Sequence, residues 1–356
     1  MGTRKYQIGV TTRTVKKIRP NGRRYWWPVI GLSLSIGALV WVFFLVDLDR
    51  LLVTLKRADL PYLLLLPLTT AVEQLFRAWK WRQLLLPLRR IATLRLFGAI
   101  MAGYLANILV PLGISPLVRS WLVARLDALK MSTVLATAAV DRLIDGVVFA
   151  GLVALVVVFA VFPDPDGNLR LGLALGGIGS VLLLPLLLLA LIRYRHQIKK
   201  GTDRQNGLLQ KLLGRLPVRT RERTKAVFRA FAEGIVWPQE LWRRLGILAA
   251  SIIIKLIAAT NFLWAGLAFG VLLRPLDYLF LVVFLGFLII LTRFARIPGG
   301  FIVGGIFALG LLGVGKEEAL AMVTIVSLAS MLTIAVVGAI SLWRNGISLG
   351  ELQTRS

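Results

Sequence analysis

Asn107-Ile-Leu-Val-Pro-Leu-Gly-Ile-Ser-Pro-Leu-Val-Arg119 decides how this chain is read. The stretch is hydrophobic enough for a membrane interior, yet it holds two prolines, a glycine, an amide and an arginine where an unbroken spanning helix should run. A helix broken inside the bilayer exposes backbone groups that lipid cannot satisfy, so such breaks persist only where protein or a water-filled cavity surrounds them. That makes the stretch the first candidate for a site. Arg119 follows the second proline by three residues, close enough to the freed backbone to hold an anionic headgroup at depth.

Working outward, the 356-residue chain is 57% hydrophobic and 17% charged. Its apolar runs of about 20 residues each suffice to cross roughly 30 Å of hydrocarbon and predict a polytopic helical membrane protein. The net charge of +26 gathers beside apolar segments and not on an aromatic-interleaved soluble face. That distribution points to anionic lipid and away from nucleic acid. With no Cys, disulfides, thiolate nucleophiles and cysteine metal sites are excluded. The single His196 lies in a basic loop and reads as solvated, so no metal or cofactor is expected.

Residues 1–27 carry eight cations and no acid, and end on Tyr25, Trp26 and Trp27. The positive-inside rule makes this segment cytoplasmic and predicts a multi-pass protein of the inner (plasma) membrane. The apolar run that follows lacks a small-residue cleavage pattern, so an uncleaved first span is expected at about 28–46. One transmembrane domain is expected over 28–345, with halves at 28–162 and 171–345, a basic cytoplasmic loop at 193–245 and a tail at 346–356. Further spans read at about 61–78, 96–112, 131–162, 171–192, 246–272, 276–295 and 319–342. An odd number of crossings must separate a cytoplasmic Arg95 from an external Asp164. The piece 114–129 must therefore return the chain, as a half-helix or re-entrant hairpin closing on Pro111 to Pro116.

A second break, Arg296-Ile-Pro-Gly-Gly-Phe-Ile-Val-Gly-Gly305, repeats the first. At an offset of 187, Pro298 falls on Pro111, Gly300 on Gly113, Glu317 on Lys130 and Thr324 on Thr137. The first break follows an outward span and the second an inward one, the arrangement of an inverted-topology repeat. The expected fold is thus all-α, with about eight spanning helices and two re-entrant broken segments in inverted halves. Gly300-Phe-Ile-Val-Gly304 and Gly266-Leu-Ala-Phe-Gly270 also match GxxxG, so close helix packing stays open as the reason for these glycines.

Candidate substrate-binding residues follow from these breaks. Asn107, Pro111, Ser115 and Arg119 belong to the first, and Arg293, Arg296, Gly299 and Gly300 to the second. Arg142 and Asp145 lie at i and i+3 on one helix, where they could bind a ligand or simply neutralise each other. Lys255 is a cation flanked by apolar residues within a span. Arg77, Trp79, Trp81 and Arg82 read as interfacial anchors at a cytoplasmic helix end.

Arg77-Ala-Trp-Lys-Trp-Arg82, Gly103-Tyr-Leu-Ala-Asn107 with Pro111 and Arg119, Asp141-Arg-Leu-Ile-Asp145, Ile297-Pro-Gly-Gly300 and Lys316-Glu-Glu-Ala-Leu-Ala321 occur in this order. Together they resemble the transmembrane region of lysylphosphatidylglycerol synthases and the flippase-like integral membrane proteins that share it, over about 40–342. The resemblance implies movement of lipids, or handling of lipid-linked sugars, across the membrane. It does not imply the synthase reaction, because no counterpart of the soluble aminoacyl-transferring domain is present. The family often places a glutamate just before the arginine of the first break and another after the paired glycines of the second. Pro116 and approximately Gly305 stand there in this chain.

The sequence therefore predicts a non-enzymatic transporter or flippase whose partners are an anionic phospholipid or lipid-linked molecule, the membrane itself, and a second copy or a lipid-modifying enzyme. Two other classes stay open. One is a lipid-dependent glycosyltransferase using the acids of Asp47-Leu-Asp49. The other is a non-transporting protein that tethers an enzyme through the 193–245 loop.

Overall fold

A computed structural model describes residues 53–54, 56–109, 113–159, 240–295 and 300–345, with short pieces at 167–168, 171–175, 179, 186 and 238. Of residues 290–295 only the backbone is described. The basic N-terminal segment, the span at 28–46, Asp47, Asp49, Pro111, Arg296, Pro298, Gly299, most of the 193–245 loop and the tail from 346 lie outside the described residues.

Eight helices carry the described chain: α1 (Leu60–Leu85), α2 (Thr93–Leu109), α3 (Ser115–Leu126), α4 (Met131–Phe159), α5 (Leu241–Ala268), α6 (Pro275–Ala295), α7 (Gly300–Leu311) and α8 (Lys316–Arg344). Among the described residues α4, α5 and α8 are long and apolar enough to cross a membrane. The 26-residue α1 is about 39 Å long, sufficient to span, but it carries Glu73, Arg77, Lys80 and Arg82 toward its C-terminal end. It runs seven residues beyond the predicted span because those charged residues are buried by neighbouring helices and not released to an interface.

The 12-residue α3 and α7 are each about 18 Å long, far short of the hydrocarbon thickness. Each follows one of the two Pro/Gly breaks. Helix lengths recur in the same order, at 26, 17, 12 and 29 residues and then 28, 21, 12 and 29. The starts of α3 and α7, and of α4 and α8, are 185 residues apart. The offset of 187 read from the prolines is therefore two residues too long, and Gly113 does not correspond to Gly300.

The short helices also end alike. Gly313 has φ 80°, and the N–H of Val314 donates to Leu309 O at 3.1 Å. At the end of α3 Ala128 takes the same left-handed role at φ 52°, with Leu129 N–H donating to Ala124 O at 3.0 Å. Such a cap satisfies carbonyls that the last helical turn leaves free. Gly270, at φ 73°, terminates α5 in this way, with Val271 N–H on Gly266 O at 2.7 Å. The glycines at 266 and 270 thus belong to a helix end and not to a helix–helix crossing motif.

The most extensive helix pairing joins α1 to α5. It is antiparallel: Asp59 N–H donates to Ala268 O at 2.9 Å at one end, Thr69 meets Asn261 in the middle, and Lys80 reaches Ser251 at 3.2 Å toward the other. Next comes α2 against α8, where Gly338 lets the backbones approach; a Cβ there would stand 2.8 Å from Met101 O. One apolar core lies mainly among α1–α4, including Trp81, Ile100, Leu122 and Ile144. The other joins the far end of α4 to α5–α8.

Candidate functional site

Asp145 stands at the midpoint of the 29-residue α4, where an exposed carboxylate would face hydrocarbon. It is buried instead, and its partners come from two other helices. Arg77 Nη1 donates to Asp145 Oδ2 at 3.1 Å, Lys80 Nζ pairs with Oδ1, and Ser251 Oγ of α5 donates to Oδ1 at 3.2 Å. One turn earlier, Asp141 is fully buried with Lys80 Nζ 2.8 Å from Oδ1 and Arg119 Nη2 3.5 Å from Oδ2. Arg77 also holds Glu73, four residues back on α1, at 3.0 Å.

Arg119 is the least satisfied member. It is 1% exposed, and no hydrogen bond reaches its Nε, Nη1 or Nη2. Its guanidinium lies over the Trp81 ring, 4.7 Å from the centroid, and Trp81 is fixed by an Nε1–H donated to Thr137 Oγ1 at 3.0 Å. A cation–π contact contributes about 2 kcal/mol when desolvated, less than the cost of burying an ion without hydrogen bonds. Ser115 Oγ, Ser120 Oγ and Asn107 Oδ1 are likewise buried without a partner. Polar atoms left open in this way mark a place that a ligand or ordered water completes.

Local chain chemistry puts Arg119 there. Ser115-Pro116 opens α3, and proline in a first helical turn sacrifices only an N–H that has no intrahelical partner. Gly103 of α2 then permits close approach, because a Cβ at that position would stand 2.9 Å from Ser115 O and 3.2 Å from Arg119 Cβ. Gly103→Ala is expected to push α3 outward and, through overpacking, to cost about 1–3 kcal/mol. Thermal unfolding in detergent would register it, and an unchanged midpoint would contradict the tight α2–α3 contact.

Arg142 is exposed although it is the twelfth of 29 residues in α4, about 17 Å from the helix start. Its Nη2 donates to the Tyr104 hydroxyl of α2 at 3.3 Å. That hydroxyl also lies within the electrostatic reach of Arg77 and Arg119. Lys255 of α5 is half-buried, with Nζ 5.4 Å from the Phe149 ring centroid and Asp145 within its field. Around this cluster five cations (Arg77, Lys80, Arg119, Arg142, Lys255) thus meet three carboxylates, Glu73, Asp141 and Asp145.

Of the residues predicted from sequence, Arg119, Ser115, Arg142, Asp145 and Lys255 come together here, and Asn107 presents its unpaired amide oxygen on α2. Asp145 does not pair with Arg142, as the i, i+3 spacing suggested; it turns to α1 and α5. Gly300 opens α7, whose next residues Phe301 and Ile302 pack in the second apolar core. Arg293 lies in the last turn of α6. Arg77 and Trp81 are buried, at 6% and 0% exposure, and so are not interfacial anchors. Trp79, at 37% exposed, borders an apolar groove of about 430 Å³ with Leu75, Phe76, Gly246 and Ile253. Sequence reasoning missed Lys80, Ser251 and Tyr104. A tyrosine in the middle of an apolar helix, within the Gly103-Tyr-Leu-Ala-Asn107 motif, was the available signal for the last.

No curated protein and no solved structure matches the chain. The model of one family, the lysylphosphatidylglycerol synthase TM region, matches residues 29–338. That match spans most of the chain, so this multi-pass membrane protein, with its buried ionic cluster held by α1, α3, α4 and α5, belongs to the family of the lysylphosphatidylglycerol synthase transmembrane region.

Proposed function

We propose that the protein moves an anionic lipid or lipid-linked molecule across the inner membrane, with the headgroup held at Arg119 and the apolar chain remaining in lipid. The observation that carries this reading is a guanidinium buried at a helix break with no hydrogen bond to any of its nitrogens. Guanidinium stays charged when desolvated and matches two phosphate oxygens with one planar fork. The family's link to lipid handling agrees with it.

The movement would be a rocking of two inverted halves, α1–α4 against α5–α8. The recurring helix lengths and the antiparallel pairing of α1 with α5 favour this. So does a pair of matched contacts. Ser251 of α5 touches Asp145 of α4 at 3.2 Å, and Thr70, 181 residues before Ser251, meets Ser330, 185 residues after Asp145, at 3.5 Å. The halves differ in chemistry, however. In the second half Gly304 stands at the place of Arg119, and Leu288 at the place of Gly103 and against Gly304. The large and small members of the contact are exchanged, which leaves the cationic site in the first half alone.

The test is translocation of a fluorescent anionic phospholipid in proteoliposomes. Wild-type protein is expected to move the lipid, Arg119→Gln to lose that activity, and Arg119→Lys to retain only part of it, since an ammonium keeps the charge but not the fork. Full activity in Arg119→Gln would end the proposal.

A further inference from the structure

The transport reading says that the headgroup is anionic; the surroundings of Arg142 say more about how many charges it carries. This step rests on that reading for the presence of a lipid, but not on any rate of movement.

Two observations are joined. The first is the position of Arg142, exposed midway along a spanning helix and tied to Tyr104 of α2. An arginine at that depth is costly against hydrocarbon, and such residues face a cavity or a polar partner. The Tyr104 hydroxyl supplies only one neutral hydrogen bond. The second is the charge balance. Glu73, Asp141 and Asp145 are all engaged by Arg77, Lys80 and Arg119, so nothing in the cluster neutralises Arg142 or Lys255. Two positive charges remain in a region where uncompensated charge is expensive.

We infer that Arg142, Tyr104 and Arg119 form one phosphate subsite, open sideways to lipid at Arg142, for a headgroup bearing two negative charges on its terminal phosphate or diphosphate. A phosphomonoester or diphosphate lipid meets that requirement, whereas a phosphodiester brings one charge and leaves one cation uncompensated. The extra oxygen also matters geometrically. A terminal phosphate offers three free oxygens, enough to serve the Arg119 fork and Arg142 together, with the Tyr104 hydroxyl donating to the same group once it is released from Arg142. Free inorganic phosphate or pyrophosphate shares this chemistry, so the source of the group has to be separated by experiment.

Native mass spectrometry of the full chain in detergent, with phosphatidic acid and phosphatidylglycerol of the same acyl chains added in equal amounts, measures the preference directly. Phosphatidic acid is expected to bind roughly tenfold more tightly, the size of one added charge-assisted contact. Arg142→Gln, a change at an exposed side chain that the fold tolerates, is expected to abolish the preference while leaving residual binding of both lipids through Arg119. Tyr104→Phe should narrow the preference without removing it. Competition by inorganic pyrophosphate would show that the headgroup alone is recognised; binding of phosphatidic acid undiminished by pyrophosphate would show that recognition needs the lipid, and either supports the doubly charged site. Equal retention of the two lipids by the wild type, or a preference unchanged in Arg142→Gln, overturns the inference while leaving the translocation assay to judge the broader reading.

Discussion

Asp145→Ala is expected to lower stability by about 3–5 kcal/mol, the usual result of removing one partner from a buried ion pair. Asp145 is the common acceptor of Arg77, Lys80 and Ser251, on two helices other than its own. Its loss leaves five cations facing two carboxylates in a low-dielectric interior, so electrostatic cost is added to the lost hydrogen bonds. Arg95→Ala provides the contrast. Arg95 holds Asp127 at 2.7 Å but is 50% exposed, and a pair so open to solvent contributes about 0–1 kcal/mol. Denaturant unfolding in detergent should separate the two variants clearly. The double change Lys80→Met with Asp145→Leu is expected to recover much of the loss. Arg77 then keeps Glu73 and Asp141 keeps Arg119, so no single buried charge is orphaned. Additive losses in the double variant would mean that the two side chains do not act as a pair.

How far the cluster can be read from sequence depends on which interactions are local. The breaks were legible, because proline and glycine act through the backbone at their own positions; α3 begins at Ser115 and α7 at Gly300, as the interrupted stretches implied. Arg119 was legible for the same reason. The partners of Asp145 were not. Arg142 at i+3 was the nearest cation in sequence, but Arg77 and Lys80, 68 and 65 residues away, provide the contacts. Spacing along one helix tells which residues share a face, not which face turns to a neighbour. Trp79-Lys-Trp81 failed differently. Aromatic and basic residues at the end of an apolar run have the composition of an interfacial belt, and the same residues suit a buried ionic cluster when carboxylates arrive from another helix. Only the position of α4 decides between these. The repeat offset was misread by two residues because prolines in irregular segments need not correspond, whereas the short helices and their end caps do.

Arg119→Leu is expected to abolish lipid translocation while leaving stability unchanged or raising it by up to about 2 kcal/mol, the opposite of the Asp145 result although both residues are buried and charged. The sign follows from what each removal leaves behind. Without Arg119, Asp141 retains Lys80 at 2.8 Å, so no carboxylate is stranded. The excess of cations falls from two to one, and three guanidinium nitrogens without hydrogen bonds disappear from the interior. Against this stand the Trp81 stacking contact and the 3.5 Å approach to Asp141, both weaker than a well-formed buried pair. Leucine fills much of the vacated volume beside Gly103 and Trp81. A residue that strains the empty protein yet carries its activity is the pattern of a binding group held ready for an absent charge. Thermal unfolding and translocation measured on the same preparation test both halves of the expectation. A large stability loss in Arg119→Leu would make the arginine a structural ion-pair member, and the headgroup would then have to be sought elsewhere in the cluster.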